Sequence, residues 1–328
     1  MTWTQFTNSA EYNLFSQFRF ARYRLTMKVL GDIHLIGFKG SAIRGSFGYA
    51  FRQVMCVIEG MRCEECPTAG NCFYVYAFET KGSYDDAFLR NKGEIVRPYI
   101  LRPPQDGRDH YRRGDELVFE LILFGTATDY LKYFAAAFIQ MGQQGLGNRS
   151  VSLLLDRMES IGKSGGTTIY RSGDNEFRRI APPLTAIEVC DLEPPSRCAF
   201  NFITPLELKE KGRYPDVSFG LLFRSLLRRV VTLAHIHCDI DCSDIDFTSL
   251  SRKADTVQTL SNSLDRVLSQ RYSSRQQSWM PMGGRLGKIA FEGDLTPFWP
   301  FLVLGEHVHV GKKTSFGFGQ YELCQVFY

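Results

Sequence analysis

The chain has 328 residues, long enough for two ordinary domains with a core each. Its 44% hydrophobic and 23% charged residues exclude a largely disordered polymer, and a net charge of +4 permits a polyanionic partner without requiring one. The N-terminus, MTWTQFTNSAEYNLF, lacks the basic start and apolar run of a signal peptide, and no apolar stretch nears the roughly 20 residues needed to span a bilayer. A cytoplasmic protein is expected, in which nine cysteines would be free thiols or metal ligands rather than disulfides.

FRFARYRLTMKV (Phe18 to Val29) alternates apolar and polar residues, as a half-buried strand does. A glycine-bounded loop containing His34 follows, and then the helix-like GSAIRGSFGYAFRQVM, with Lys39 and Arg44 at its start. Next, Cys56, Cys63, Cys66 and Cys72 have the spacing C-x6-C-x2-C-x5-C. Four thiolates so close in the chain can make a tetrahedral structural zinc site in a loop inserted after the first helix. An iron–sulfur cluster accepts the same four ligands, and four reduced cysteines are the plain alternative.

LKYFAAAFIQMGQQGLGNRSVSLLL reads as helix, then Gly145 and Gly147, then strand. Pro182-Pro183 and Pro194-Pro195 mark a connector. Beyond it, CAFNFITPLELK (Cys198 to Lys209) reads as a strand, and after a loop with Gly212 and Pro215 comes the amphipathic FGLLFRSLLRRVVTLA. In that helix Arg224 and Arg228 share a face and Arg229 adjoins it, a pattern that reads as a solvated polar surface. HIHCDIDC (His235 to Cys242) holds ligand-type residues, but alternating Ile236 and Ile240 make it a helix end entering a loop. Arg271, Tyr272 and Arg275 form a basic and aromatic group before the strand GRLGKIAFEG. Finally, PFWPFLVLGEHVHVGKKTSFGFGQYELCQV repeats the order helix, glycines, strand around Gly317 and Gly319.

The two strand–helix pairs, like the two helix–glycine–strand segments, are offset by roughly 170 residues, which points to a duplicated unit. Each copy reads as strand, helix, further strands, second helix and final strand. The expected fold is therefore α+β, with two tandem ferredoxin-like (RRM-like) domains: residues 1–190 with the cysteine-rich insertion, and residues 191–328 with the glycine-rich loop.

In GKKTSFGFG, glycines at 311, 317 and 319 permit positive φ and close approach, so main-chain N–H groups can face an anion. Lys312 and Lys313 add charge there, and the copy at Gly145 and Gly147 lacks them. Phe316 and Phe318 either stack on bases or fill the core beneath the loop. A glycine loop that merely turns helix into strand is the plain alternative.

Taken together, GSAIRGSFGYAF, the cysteine cluster ending in CFYVYAFE, LFGTATDYLKYFAAAFIQMGQQGLG and GEHVHVGKKTSFGFGQYEL resemble the CRISPR-associated RAMP endoribonucleases that process precursor CRISPR RNA. The resemblance runs from about Lys39 to the C-terminus. It implies two ferredoxin-like domains with a glycine-rich loop near the end of the second. It also implies cleavage of repeat RNA without a metal cofactor: the 2′-OH attacks the adjacent phosphate, leaving a 2′,3′-cyclic phosphate and a 5′-OH. By this resemblance His34 and Lys39 are the expected catalytic residues, Lys39 beside the phosphate, with His307 and His309 as the alternative pair. Expected RNA contacts are Arg44, Gly311, Lys312, Lys313, Gly317, Gly319, Arg271 and Arg275. The expected partner is CRISPR repeat RNA, with other CRISPR-associated effector subunits possible. The competing reading is a non-catalytic RAMP subunit that holds guide RNA in an effector complex.

Overall fold

The computed structural model describes residues 6–7, 9–58, 60–79, 96–146, 151–190, 193–210, 212–273 and 278–325. Gly147 and Arg275 lie outside them. Among the described residues no helix is long and apolar enough to cross a membrane.

The chain divides into two compact units. One is Phe20–Pro183; the other joins the described residues up to Arg19 with those from Leu184 onward. The division thus falls at the Pro182-Pro183 pair rather than after residue 190, and the N-terminal helix α1 (Ala10–Gln17) belongs to the C-terminal unit. Aromatic packing explains the second difference: Phe15 meets Phe301 edge-on at 5.1 Å, and the Ala186 amide donates to the Phe18 carbonyl at 2.8 Å.

In the first unit, β1 (Arg19–Val29) leads through the two-residue β2 (Ile33–His34) into α2 (Lys39–Met55). Then follow β3 (Tyr99–Arg102), β4 (His110–Tyr111), β5 (Glu116–Phe124), α3 (Leu131–Gln144), β6 (Leu153–Gly162) and β7 (Gly165–Arg171). The sheet order is β3–β5–β1–β6–β7, with every neighbouring pair antiparallel. Buried Ile43, Phe47, Ala50 and Phe51 recur at helical spacing on α2 and give it one apolar face. Phe47 packs there against Phe138 of α3, ring centroids 4.3 Å apart. Gly142 lets α3 approach the sheet, because a Cβ there would run into the Leu153 carbonyl.

The second unit contains β8 (Leu184–Thr185), α4 (Ala186–Val189), β9 (Arg197–Leu206), α5 (Phe219–Cys238), α6 (Phe247–Ala254) and β10 (Gln258–Val267). A small ribbon of β11 (Gln270–Ser273) and β12 (Ser278–Pro281) precedes β13 (Gly284–Glu292), α7 (Trp299–Val308) and β14 (Tyr321–Gln325). Ser218 caps α5 by accepting from the Leu221 amide, and left-handed Asp239 ends it, so HIHCDIDC is a helix end entering a loop, as read. The sheet order is β10–β13–β9–β14, again antiparallel throughout.

Counting only the strands around the two long helices, both sheets have the order 2-3-1-4. That is the order of a βαββαβ ferredoxin-like sandwich, and the chain is two of them in tandem.

Candidate active site

The polar cluster of the first unit lies where β2 and β4 form a short antiparallel ribbon beside the start of α2. The ribbon pairs Ile33 with Tyr111 and His34 with His110. Directly opposed residues point to the same face of a ladder, so the two imidazoles meet: their rings are parallel within 2° and 4.2 Å apart. His34 is exposed and His110 half-buried. Their apolar neighbours Ile33 and Tyr111 point to the other face, into the core.

One carboxylate fixes this ribbon to α2. Asp106 accepts from Lys39 Nζ at 2.6 Å, from the Tyr111 hydroxyl at 2.8 Å, and from Arg108 through its amide at 3.3 Å and its Nε at 3.2 Å. Burial alone would raise its pKa, but the donors from Lys39, Tyr111 and Arg108 outweigh burial and hold the carboxyl well below the usual range. The same arrangement pushes the Tyr111 hydroxyl up, through burial first and the Asp106 hydrogen bond second.

Lys39 was expected beside the scissile phosphate. It is instead buried, with its ammonium on Asp106 and 5.5 Å from the centre of the Tyr111 ring. Arg44 also turns inward: its guanidinium lies 5.3 Å over the Phe78 ring, close enough to buried Tyr99 to act on its hydroxyl. Arg112 and Arg113, both exposed, follow His110 in the turn after β4. Their amides donate to Asp115 Oδ2 at 2.9 Å and Asp32 Oδ1 at 3.0 Å, which sets the turn and leaves the guanidinium groups at the surface.

The non-helical face of the first sheet holds a further basic cluster. Arg22, Arg24 and Arg102 surround Glu120 at 3.1, 3.5 and 3.3 Å, three cations on one carboxylate. Burial acts to raise the Glu120 pKa, yet these guanidinium groups, Arg22 foremost, hold it below its ordinary value. FRFARYRL read only as a strand; the alternation that makes it one also sends both arginines to the same face.

In the second unit the glycine-rich loop is stitched to the end of β9. The Thr204 hydroxyl donates to the Gly317 carbonyl at 2.6 Å, and the Gly319 amide to the Pro205 carbonyl at 2.9 Å. Gly311, Gly317 and Gly319 all have positive φ, and a Cβ on Gly319 would collide with the Val310 carbonyl. Phe318 is fully buried and Phe316 nearly so, so these aromatics fill the core beneath the loop. Lys313 adopts a left-handed conformation, pairs with Glu207, and donates to the Pro281 carbonyl at 3.1 Å. Lys312 is half-exposed beside it. Arg271 lies 5.0 Å over the Phe316 ring, half-buried.

The alternative catalytic pair separates. His307 is in the last turn of α7, whereas His309 is its positive-φ C-cap, fully buried with Nδ1 3.0 Å from the Phe318 carbonyl. An extended stretch would have put both on one face; the helix end does not. His309 is a strut of the loop. The arginines of α5 also divide: Arg228 is exposed, Arg224 pairs with Asp255 at 2.6 Å, and Arg229 is buried with its pKa lowered by desolvation to about 9. Beside the loop a cavity of about 240 Å³ is bordered by Tyr214, Arg266, Arg285, Lys313 and Leu268.

As placed, no three His, Cys, Asp or Glu side chains among the described residues are close enough together to hold a metal ion. This includes Cys56, Cys63, Cys66 and Cys72, although all four border one small cavity.

Tandem ferredoxin-like units with a glycine-rich loop before the last strand are the arrangement that the resemblance to RAMP proteins implied. Comparison with known families agrees. The AF_1859_N model, an N-terminal domain, matches residues 18–183, half of the chain, and the model for the CRISPR-associated endoribonuclease Cas6 matches residues 200–321. By its longer match the chain belongs to the AF_1859_N family, and its second unit is similar to the endoribonuclease Cas6.

Solved structures share its fold. A Cas6 product complex has a TM-score of 0.57 at 15% identity, over 93% of this chain and 100% of that one. Thermus thermophilus Cas6 gives 0.53 at 14%, over 94% and 99%. A partial Cas6-RT-Cas1–Cas2 complex gives 0.54 at 14% over 94% of this chain, which spans only 46% of that longer one. No curated protein matches.

Proposed function

We propose that this protein cleaves precursor CRISPR RNA within its repeats, with His34 and His110 as the acid–base pair. The observation that carries the proposal is the pair itself: two stacked imidazoles at the surface of a ribbon, in a chain whose second unit is similar to the endoribonuclease Cas6. Histidine exchanges protons near neutral pH, and transesterification of RNA needs one base and one acid.

A neutral imidazole takes the proton of the ribose 2′-OH. The freed oxygen attacks the adjacent phosphorus, and the bond from phosphorus to the 5′-oxygen breaks. The partner, as imidazolium, gives its proton to that leaving oxygen. The products are a 2′,3′-cyclic phosphate and a 5′-OH, with no water consumed. Arg112 and Arg113 face the charge that grows on the phosphoryl oxygens. Lys39 acts at one remove, holding the ribbon through Asp106 and Tyr111.

RNA binding draws on both units. The arginines around Glu120 track phosphates, and Lys312 with the main chain of the glycine-rich loop meets others. The cavity beside the loop takes an unstacked base against Tyr214, which is 57% exposed, with Arg266 and Arg285 at its rim. Cytoplasmic location and assembly with further CRISPR-associated subunits belong to the same proposal.

The test is incubation of the purified protein with its repeat RNA in EDTA. Cleavage to a cyclic-phosphate end is expected, lowered about 10²-fold or more in His34→Ala and in His110→Ala with RNA binding retained. Tight, salt-sensitive binding without cleavage by the wild type would overturn the catalytic reading in favour of a guide-holding subunit.

A further inference from the structure

Catalysis and RNA binding leave the cysteine segment unused. Between α2 and the aromatic residues Phe73 and Tyr74, which anchor in the core, the described residues of 56–72 form turns and one short helical turn, Ala69–Asn71. Its described residues build no apolar core of their own: Val57 is 84% exposed and Met61 37%. Even so, its four cysteines come together. Cys56, Cys63, Cys66 and Cys72 border a single cavity of about 30 Å³ whose other walls include Met55, Ile58 and Val75. Cys63 is near enough to Cys56 and Cys72 for their charges to act on it.

The sulfurs do not converge as placed, and two of them are turned to local partners. Cys56 Sγ donates to the Ile58 carbonyl at 3.1 Å, and Cys66 Sγ lies 3.2 Å from Thr68 Oγ1. Both are weak bonds of a soft group, and a change of one χ1 rotamer redirects each sulfur. The cavity is small, with room for about two water molecules at most, which is the scale of a single ion. Arg52, whose Nη2 donates to the Met61 carbonyl at 2.8 Å, lies close enough to Cys63 to offset part of the charge of a thiolate set.

We propose that Cys56, Cys63, Cys66 and Cys72 form a tetrahedral zinc site that staples residues 56–72 to the end of α2. On binding, four sulfur–zinc bonds form, four thiol protons pass to solvent, and the site carries a formal charge of −2. Because the ion fills all four positions with protein ligands, it is structural, and it lies outside the histidine ribbon's own network.

Elemental analysis of the full chain, purified without chelator and dialysed against zinc-free buffer, is expected to give about one zinc per chain. Replacement by cobalt(II) should produce sulfur-to-metal charge-transfer absorption. The paired change Cys63→Ser with Cys66→Ser should abolish both, and circular dichroism shows whether that variant is folded. Should it fail to fold, the wild-type stoichiometry and cobalt spectrum decide alone. Less than about a tenth of an equivalent of zinc after incubation with excess zinc chloride and dialysis, with all four thiols reacting freely with a thiol reagent, would overturn the proposal. So would iron with acid-labile sulfide in place of zinc, or a Cys63–Cys66 disulfide found by mass spectrometry in protein handled anaerobically.

Discussion

His34 and His110 meet because two very short strands pair in one register, and a slip of one residue would turn one ring to the core. His34 was legible as the one histidine before the first helix. His110 was not, because neither its distance along the chain nor its neighbours mark it as a partner; only the ribbon does. Asp106 was equally hidden, as one of many acidic loop residues. Its position beneath the ribbon predicts that Asp106→Asn lowers stability by about 2 kcal/mol at pH 7, since buried Lys39 loses its counter-charge and one of the two acceptor oxygens shared by Lys39, Tyr111 and Arg108 becomes a donor. The sign with pH follows from a native pKa held below the unfolded value of about 4. The contribution is complete above that unfolded value and fades as pH falls toward the depressed native one. Denaturant titrations of wild type and variant at pH 7 and pH 2.5 should therefore show the gap narrowing at the lower pH.

At the scale of elements, the glycine-rich loop separates what local sequence reveals from what it hides. Its glycines were legible, because positive φ and close approach are demands of the backbone that only glycine meets cheaply. The roles of its lysines were not. Lys313 is bound by Glu207, which lies 106 residues earlier and reaches the loop only through the end of β9. Lys312, one residue before it, is half-exposed beside the loop. The two kinds of position predict opposite phenotypes. Gly319→Ala forces a side chain against the Val310 carbonyl at φ +69°, so it should cost at least about 1–3 kcal/mol of stability. Lys312→Ala should leave the melting temperature within about a degree and weaken RNA binding, with a shallower dependence of affinity on salt because one phosphate contact is gone. Thermal melts and filter binding at two salt concentrations check both.

Over the whole molecule, the duplication was readable because each copy repeats the same changes of period, from 2 in its strands to 3.6 in its helices, and both sheets then close in the order 2-3-1-4. The N-terminal segment escaped that reading: as a single short helix ahead of the first strand, it could be assigned only by what its aromatics touch. Buried Phe6, Leu14, Phe15 and Phe18 hold α1, with Phe6 and Phe15 5.6 Å apart and Phe15 on Phe301 of α7. Phe301 in turn contacts Phe223 of α5 at 5.9 Å, so α1 completes the helical layer of the C-terminal unit although it precedes the first strand of the other. Phe15→Ala should accordingly destabilise the second unit by about 3–5 kcal/mol and leave the first near wild type. Amide hydrogen exchange can resolve the two, because each unit opens with its own free energy. Faster exchange is expected in Phe219–Cys238 and Trp299–Val308, with Glu116–Phe124 and Leu131–Gln144 unchanged. Equal loss of protection in both sets would mean that the units unfold as one body, and α1 would then report on the entire chain rather than on the unit it caps.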